Sequence, residues 1–176
     1  MGIYVERIPK CDLWRVDILI LVTLGTNDKT FIRLIKEIER LIQVGVINEK
    51  VVVQAGYTKY ESKNMEIFDL IPYEKFDDLI AECNLLITHG GVGSIITGLK
   101  NKKVVIAVPR LEEYGEHVNN HQKEIIRNFS NAGYIIGTSG VEDLEAAMEQ
   151  AKSFEPKTYT SNTNNMIALV REQIES

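Results

Sequence analysis

Residues 87–98 read ITHGGVGSIITG: an apolar run, His89, then Gly90, Gly91 and Gly93 within four positions, then Ser94 and more apolar residues. Glycines let a bulky anion approach the backbone. A helix starting after the turn adds unpaired N–H groups and the positive end of its dipole. A diphosphate is a natural ligand for such a turn. His89 has a ring N–H, and Ser94 a hydroxyl, that can donate to phosphate oxygens. Tight strand-to-helix turns of this composition also occur with no ligand at all. A P-loop is excluded, because no lysine follows the glycines. The dinucleotide pattern G-x-G-x-x-G has Ile96 in place of its third glycine and falls mid-chain, not after the first strand, although Glu112 lies near the place of its ribose-binding acid. An NAD(P)-binding oxidoreductase and a nucleotide-sugar site are therefore both carried forward.

A second polar constellation follows. PRLEEYGEHVNNHQKE (109–124) holds Arg110, Tyr114, Glu116, His117, Asn120, His121 and Gln122. Carboxamides and carboxylates match the mixed donors and acceptors of sugar hydroxyls, although a loop this polar can also be merely solvated.

These residues need elements to position them. DILILVTLGT (17–26) is an apolar, β-branched run that predicts a strand buried on both faces, hence a parallel sheet. Phe31, Leu34, Ile35, Ile38, Leu41 and Ile42 fall at helical spacing, with Asn27 or Asp28 placed to cap the helix. Further strands are predicted at 50–56, 67–71 (ended by Pro72), 84–91, 104–110 (ended by Pro109) and 134–139. Helices are predicted at 73–83, 92–103, 123–133, 141–154 and 163–174. The alternation predicts an α/β fold: one open, mostly parallel, Rossmann-like sheet with helices on both faces. Ligands of such sheets bind outside the carboxyl ends of the strands. The loops there hold half of the glycines and all three histidines.

Bulk properties narrow the classes. The chain has 176 residues, 44% hydrophobic and 26% charged, with net charge −5 and pI about 5.3. That size suits one domain with a real core. The acidic balance argues against nucleic acid or anionic lipid as general partners. Two cysteines make no disulfide framework, and the three histidines are not in metal-ligand spacing, so no metal site is expected. No apolar stretch is long enough to span a bilayer. Residues 1–16 mix charges, a proline and the only tryptophan and lack a signal-peptide pattern; they are read as an N-terminal extension, with the domain at 17–176.

THGGVGSIITGLKNKKVVIAVPR…NNHQ resembles the donor-binding half of two-domain GT-B glycosyltransferases, in particular the C-terminal domain of family 28. VPRLEEYGEHVNNHQ is similar to the small subunits of two-component enzymes, both bacterial exopolysaccharide transferases and the dolichol-linked N-acetylglucosaminyltransferase. The resemblance spans about 17–175. It implies an inverting hexosyltransferase that uses a UDP-sugar as co-substrate, with no further cofactor. The implied acceptor is a lipid-linked saccharide, and a membrane-anchored partner subunit supplies the acceptor side. The chain itself would be cytoplasmic and peripheral to the inner membrane face. A non-catalytic regulatory subunit with the same fold is the other alternative.

Residue by residue, the resemblance implies that Gly25, Thr26 and Asn27, with His89, Gly90, Gly91, Gly93 and Ser94, hold the donor diphosphate. Pro72 and Tyr73 would meet the uracil. Thr97 stands where many relatives carry an acid gripping the ribose. Asn120 and Gln122 would bind the transferred sugar, and Arg110 with His117 could pair with a uronate carboxylate. Galactose, glucuronic acid and N-acetylglucosamine stay open as the sugar. Glu116 and His117 are the positional candidates for the base, unless it lies on the partner.

Overall fold

The computed structural model describes residues 19–160. Residues 1–16 and the helix expected at 163–174 lie outside the described residues.

Six strands form one sheet: β1 (Leu19–Thr23), β2 (Lys50–Gln54), β3 (Glu66–Phe68), β4 (Leu85–His89), β5 (Val104–Val108) and β6 (Ile136–Gly137). Their order is β3-β2-β1-β4-β5-β6 and every pairing is parallel. Five helices connect or follow them: α1 (Ile32–Gln43), α2 (Tyr73–Glu82), α3 (Val92–Lys100), α4 (His121–Asn131) and α5 (Leu144–Ala151). The apolar runs explain the parallel sheet, because both faces of each central strand are covered. Ile20 and Val22 of β1 pack with Leu34, Ile35, Ile38 and Leu41 of α1 and with Leu144 and Met148 of α5. The alternate residues Leu19 and Leu21 pack on the other face with Ile80 of α2, Ile95 and Leu99 of α3 and Ile126 of α4. A period of two along the strand thus feeds two separate cores.

The chain winds outward from β1 through β2 to β3, then returns to lay β4 on the other side of β1. The topological switch point is therefore the crevice between the C-terminal ends of β1 and β4. The first strand ends at Thr23, just short of the expected loop at Gly25–Asp28. Two expectations are corrected there. Helix α1 begins only at Ile32, with Phe31 at its N-cap. Asn27 does not cap it; its Oδ1 accepts the Lys29 N–H at 2.9 Å, closing a local turn. The Phe31 N–H donates instead to Thr58 Oγ1 at 2.9 Å. Residues 26–30 are consequently an exposed loop over the crevice.

Candidate donor site at the switch point

β1 and β4 meet through Thr23 and Thr88, which pair in register; the Thr23 hydroxyl donates to Thr88 Oγ1 at 2.9 Å. His89 follows. Its Nδ1 lies 3.4 Å from the Thr23 carbonyl, which can only accept, so the Nδ1 proton belongs there and Nε2 carries the lone pair. The ring is clasped by two glycines. A Cβ on Gly91 would come within 2.3 Å of Nε2, and one on Gly25 within 2.6 Å of Cε1. Gly25 also has φ +79°, a left-handed conformation that side chains resist. These two glycines are required by the imidazole itself. Burial and the neighbouring Arg110 guanidinium push the His89 pKa down to about 4, so the ring is neutral at pH 7.

The remaining turn residues divide. Gly90 is buried under α4, where a Cβ would sit 2.7 Å from that of Gln122; its smallness serves packing. Gly93 is exposed with nothing within 4 Å of an added Cβ, and Ser94 is half-buried. Gly91 is the N-cap of α3 with no side-chain cap bond, so the first-turn N–H groups at 92–94 are open to a ligand. Thr97 sits one turn further on, its hydroxyl donating to the Gly93 carbonyl at 2.9 Å. Its proton is committed and its lone pairs are spare. Pro72 and Tyr73 stand exposed at the start of α2, at the same end of the sheet but beyond β2 and β1.

The loop after β5 folds back onto this turn. Gln122 is 7% exposed; its Oε1 accepts the Arg110 N–H at 3.0 Å. Asn120 Oδ1 accepts the Glu112 N–H at 3.1 Å. Both carboxamides thus have the oxygen occupied and the NH₂ left over, which makes them donors to any sugar oxygen. A groove of about 660 Å³ runs on from Asn120 past Lys123, Arg127 and Ser130 to Thr138 and Ser139 at the end of β6. His117 is half-buried; its Nδ1 lies 3.0 Å from the Asn119 carbonyl and 3.3 Å from the Asn119 N–H, so that nitrogen is engaged within the loop. His121 lies at the exposed start of α4, with Nδ1 3.4 Å from Glu124.

Two expectations fail on geometry. Glu116, a positional candidate for the base, is 4% exposed and fully engaged. Its oxygens accept from Arg33 Nε at 2.8 Å and Nη2 at 2.9 Å, and Oε2 also accepts the Leu111 N–H at 3.0 Å. That is a brace between α1 and the loop after β5. Arg110, expected beside a uronate, is 1% exposed and turned inward, its Nη2 donating to the Leu24 carbonyl. It cannot meet a carboxylate in the open site. Arg33 was missed altogether. It lies 83 positions from Glu116, and no local pattern marks such a pairing; its guanidinium also stacks 3.8 Å from the centre of the Tyr114 ring. Among the described residues no cluster of acids, histidines or cysteines could hold a metal, and no helix is long and apolar enough to cross a membrane.

The model of the glycosyltransferase family 28 C-terminal domain matches residues 19–175. The UDP-N-acetylglucosamine transferase subunit ALG13 of Candida glabrata is 30% identical over 137 residues, covering 74% of this chain and 61% of the relative. The chain therefore spans about three fifths of the length of that curated relative. Among solved structures, an NMR structure of ALG13 superposes with a TM-score of 0.58 at 18% identity, over 85% of this chain and 93% of the other. The UDP-GlcNAc 2-epimerase of Methanocaldococcus jannaschii, solved with UDP-GlcNAc and UDP, gives 0.62 at 18% identity, over 92% and 46%. At these identities the two structures speak for the fold, a single open parallel sheet of the kind that forms one half of GT-B enzymes. On the span of the family match, this chain belongs to the glycosyltransferase family 28 C-terminal domain family.

Proposed function

We propose that this chain is the donor-binding, catalytic subunit of an inverting UDP-sugar-dependent hexosyltransferase. The observation that carries the reading is the switch-point turn: neutral His89 clasped between Gly25 and Gly91, directly before an α3 N-terminus with open amides. The amides at 92–94, the Ser94 hydroxyl and the loop at Gly25, Thr26 and Asn27 bind the diphosphate and stabilise charge growing on it as the sugar leaves. His89 presents Nε2 to the same group and donates once that nitrogen is protonated. Pro72 and Tyr73 border the uracil, and Thr97 accepts from a ribose hydroxyl. Asn120 and Gln122 offer N–H groups to the sugar. His117 is the base candidate left within this chain; a partner subunit is the other source.

The acceptor in this reading is a lipid-linked saccharide, presented by a membrane-anchored partner that holds the chain at the cytoplasmic face. One surface feature supports a covering partner. Tyr57, Leu70, Tyr73, Val92, Tyr114 and Val118 are 41–79% exposed, and all lie on loops, short turns or helix starts at the end of the sheet that carries the site. The dinucleotide alternative is disfavoured, because the glycine turn follows β4 while the β1 loop runs eight residues before its helix.

Isothermal titration separates the readings. UDP is expected to bind and NADH not. His89→Ala should weaken UDP binding strongly, and Gly91→Val should abolish it by driving a side chain into the imidazole. NADH binding as tightly as UDP would sink the transferase reading.

A further inference from the structure

Arg110 leaves the end of β5, yet its Nη2 donates to the Leu24 carbonyl just past the end of β1. β4 lies between those two strands, so the side chain crosses the C-terminal end of β4, at the crevice where His89 and the glycine turn sit. It is 1% exposed, and its Nε and Nη1 have no hydrogen-bond partner among the described residues. Phe31 offers only a ring face, 5.8 Å from Cζ. The buried carboxylate nearby, Glu116, already binds Arg33 through two bonds. Two guanidiniums thus share one carboxylate, which leaves one positive charge uncompensated beneath the turn; Asp28 answers it only from the exposed loop. A buried cation with idle donors costs stability unless something offsets it.

We propose that Arg110 is the buried countercharge of the donor site: its guanidinium attracts and orients the diphosphate bound at the turn, and so sets a preference for nucleoside diphosphates over monophosphates and free nucleosides. This rests on the donor-site reading above. The α3 N-terminus supplies only about half a charge, and neutral His89 supplies none. Arg110 adds a full charge in a low-dielectric setting, where its field reaches furthest. The charge is placed for the reaction as well as for binding. When the bond from the sugar C1 to the diphosphate breaks, its electron pair stays on the phosphate oxygen, and the guanidinium lowers the energy of that product.

NMR titration of the full chain with uridine, UMP and UDP tests this. Wild type should rank UDP above UMP above uridine. Arg110→Met should bind UDP roughly tenfold weaker or worse, through loss of a full charge acting from beneath the turn, with uridine affinity unchanged. Arg110→Lys should recover most of the UDP affinity. Unchanged UDP binding in Arg110→Met overturns the proposal. So does an equal loss for UDP and uridine, which would mark Arg110 as a mere brace for Leu24. Wild type that binds neither ligand fails the donor reading itself, and this inference with it. If Arg110→Met does not fold, the wild-type Arg110 Nε–H resonance decides. It should move on adding UDP and stay put with uridine; no movement at saturating UDP counts against the role.

Discussion

At the scale of single residues, His89 determines the character of the site. Its Nδ1 faces a carbonyl, its edges face two glycines, and its nearest strong charge is a cation. Burial and the Arg110 cation oppose protonation and outweigh the Thr23 carbonyl, which favours it, so the folded pKa of about 4 lies below the ordinary value of 6.5. Between those pH values the unfolded chain binds the proton and the folded chain does not. Stability is therefore full above about pH 6.5 and falls as the pH drops toward 4, by an amount on the order of 2–3 kcal/mol. Denaturant melts of wild type and His89→Gln across pH 4–7.5 should diverge toward low pH, with wild type losing more. Parallel curves would mean that the ring titrates normally. The sequence points to His89 and its glycines as a diphosphate cradle; the structure adds a packing reason for the glycines. Glycine-rich spacing signals close approach without saying of what; here Gly25 and Gly91 admit an imidazole, and Gly90 admits α4.

At the scale of elements, the site depends on the loop after β5 being tied to α1. The bidentate pair of Arg33 and Glu116, with Tyr114 stacked on the guanidinium, is that tie. The Glu116 side chain is 5% exposed and that of Arg33 20%, so the pair is only partly screened. Removing one partner strands the other, at about 2–4 kcal/mol after allowing for the exposure of Arg33. Glu116→Gln and Arg33→Met should each cost in that range, and Arg33→Met/Glu116→Leu should cost less than the sum. The brace also predicts that Glu116→Gln keeps the shape of the kcat pH profile, whereas loss of its acid-side limb would restore Glu116 as the base. The strands and most helices were legible from hydrophobic period alone, because a two-faced parallel sheet writes long apolar runs into its strands. The late start of α1, the roles of Glu116 and Arg110 and the existence of Arg33 as a partner were not. All four depend on contacts between residues far apart in sequence, which local spacing does not encode.

At the scale of the whole molecule, every loop that carries a candidate donor-site residue lies at one end of a single parallel sheet, and the exposed large apolar residues gather at that end too. Among the described residues of this kind only Val44 lies elsewhere, at the end of α1. In the proposed function this open carboxyl end, with its rim of Tyr, Leu and Val, is the face that the acceptor-binding partner covers. Binding of a nucleoside diphosphate at the β1–β4 switch point is read by amide chemical shifts of the isotope-labelled chain during a UDP titration. The amides of residues 25–28 and 91–95 should move together and saturate at one concentration. Shifts confined to the far end of the sheet around Lys100–Lys103, or no saturable shift at the turn, would contradict it.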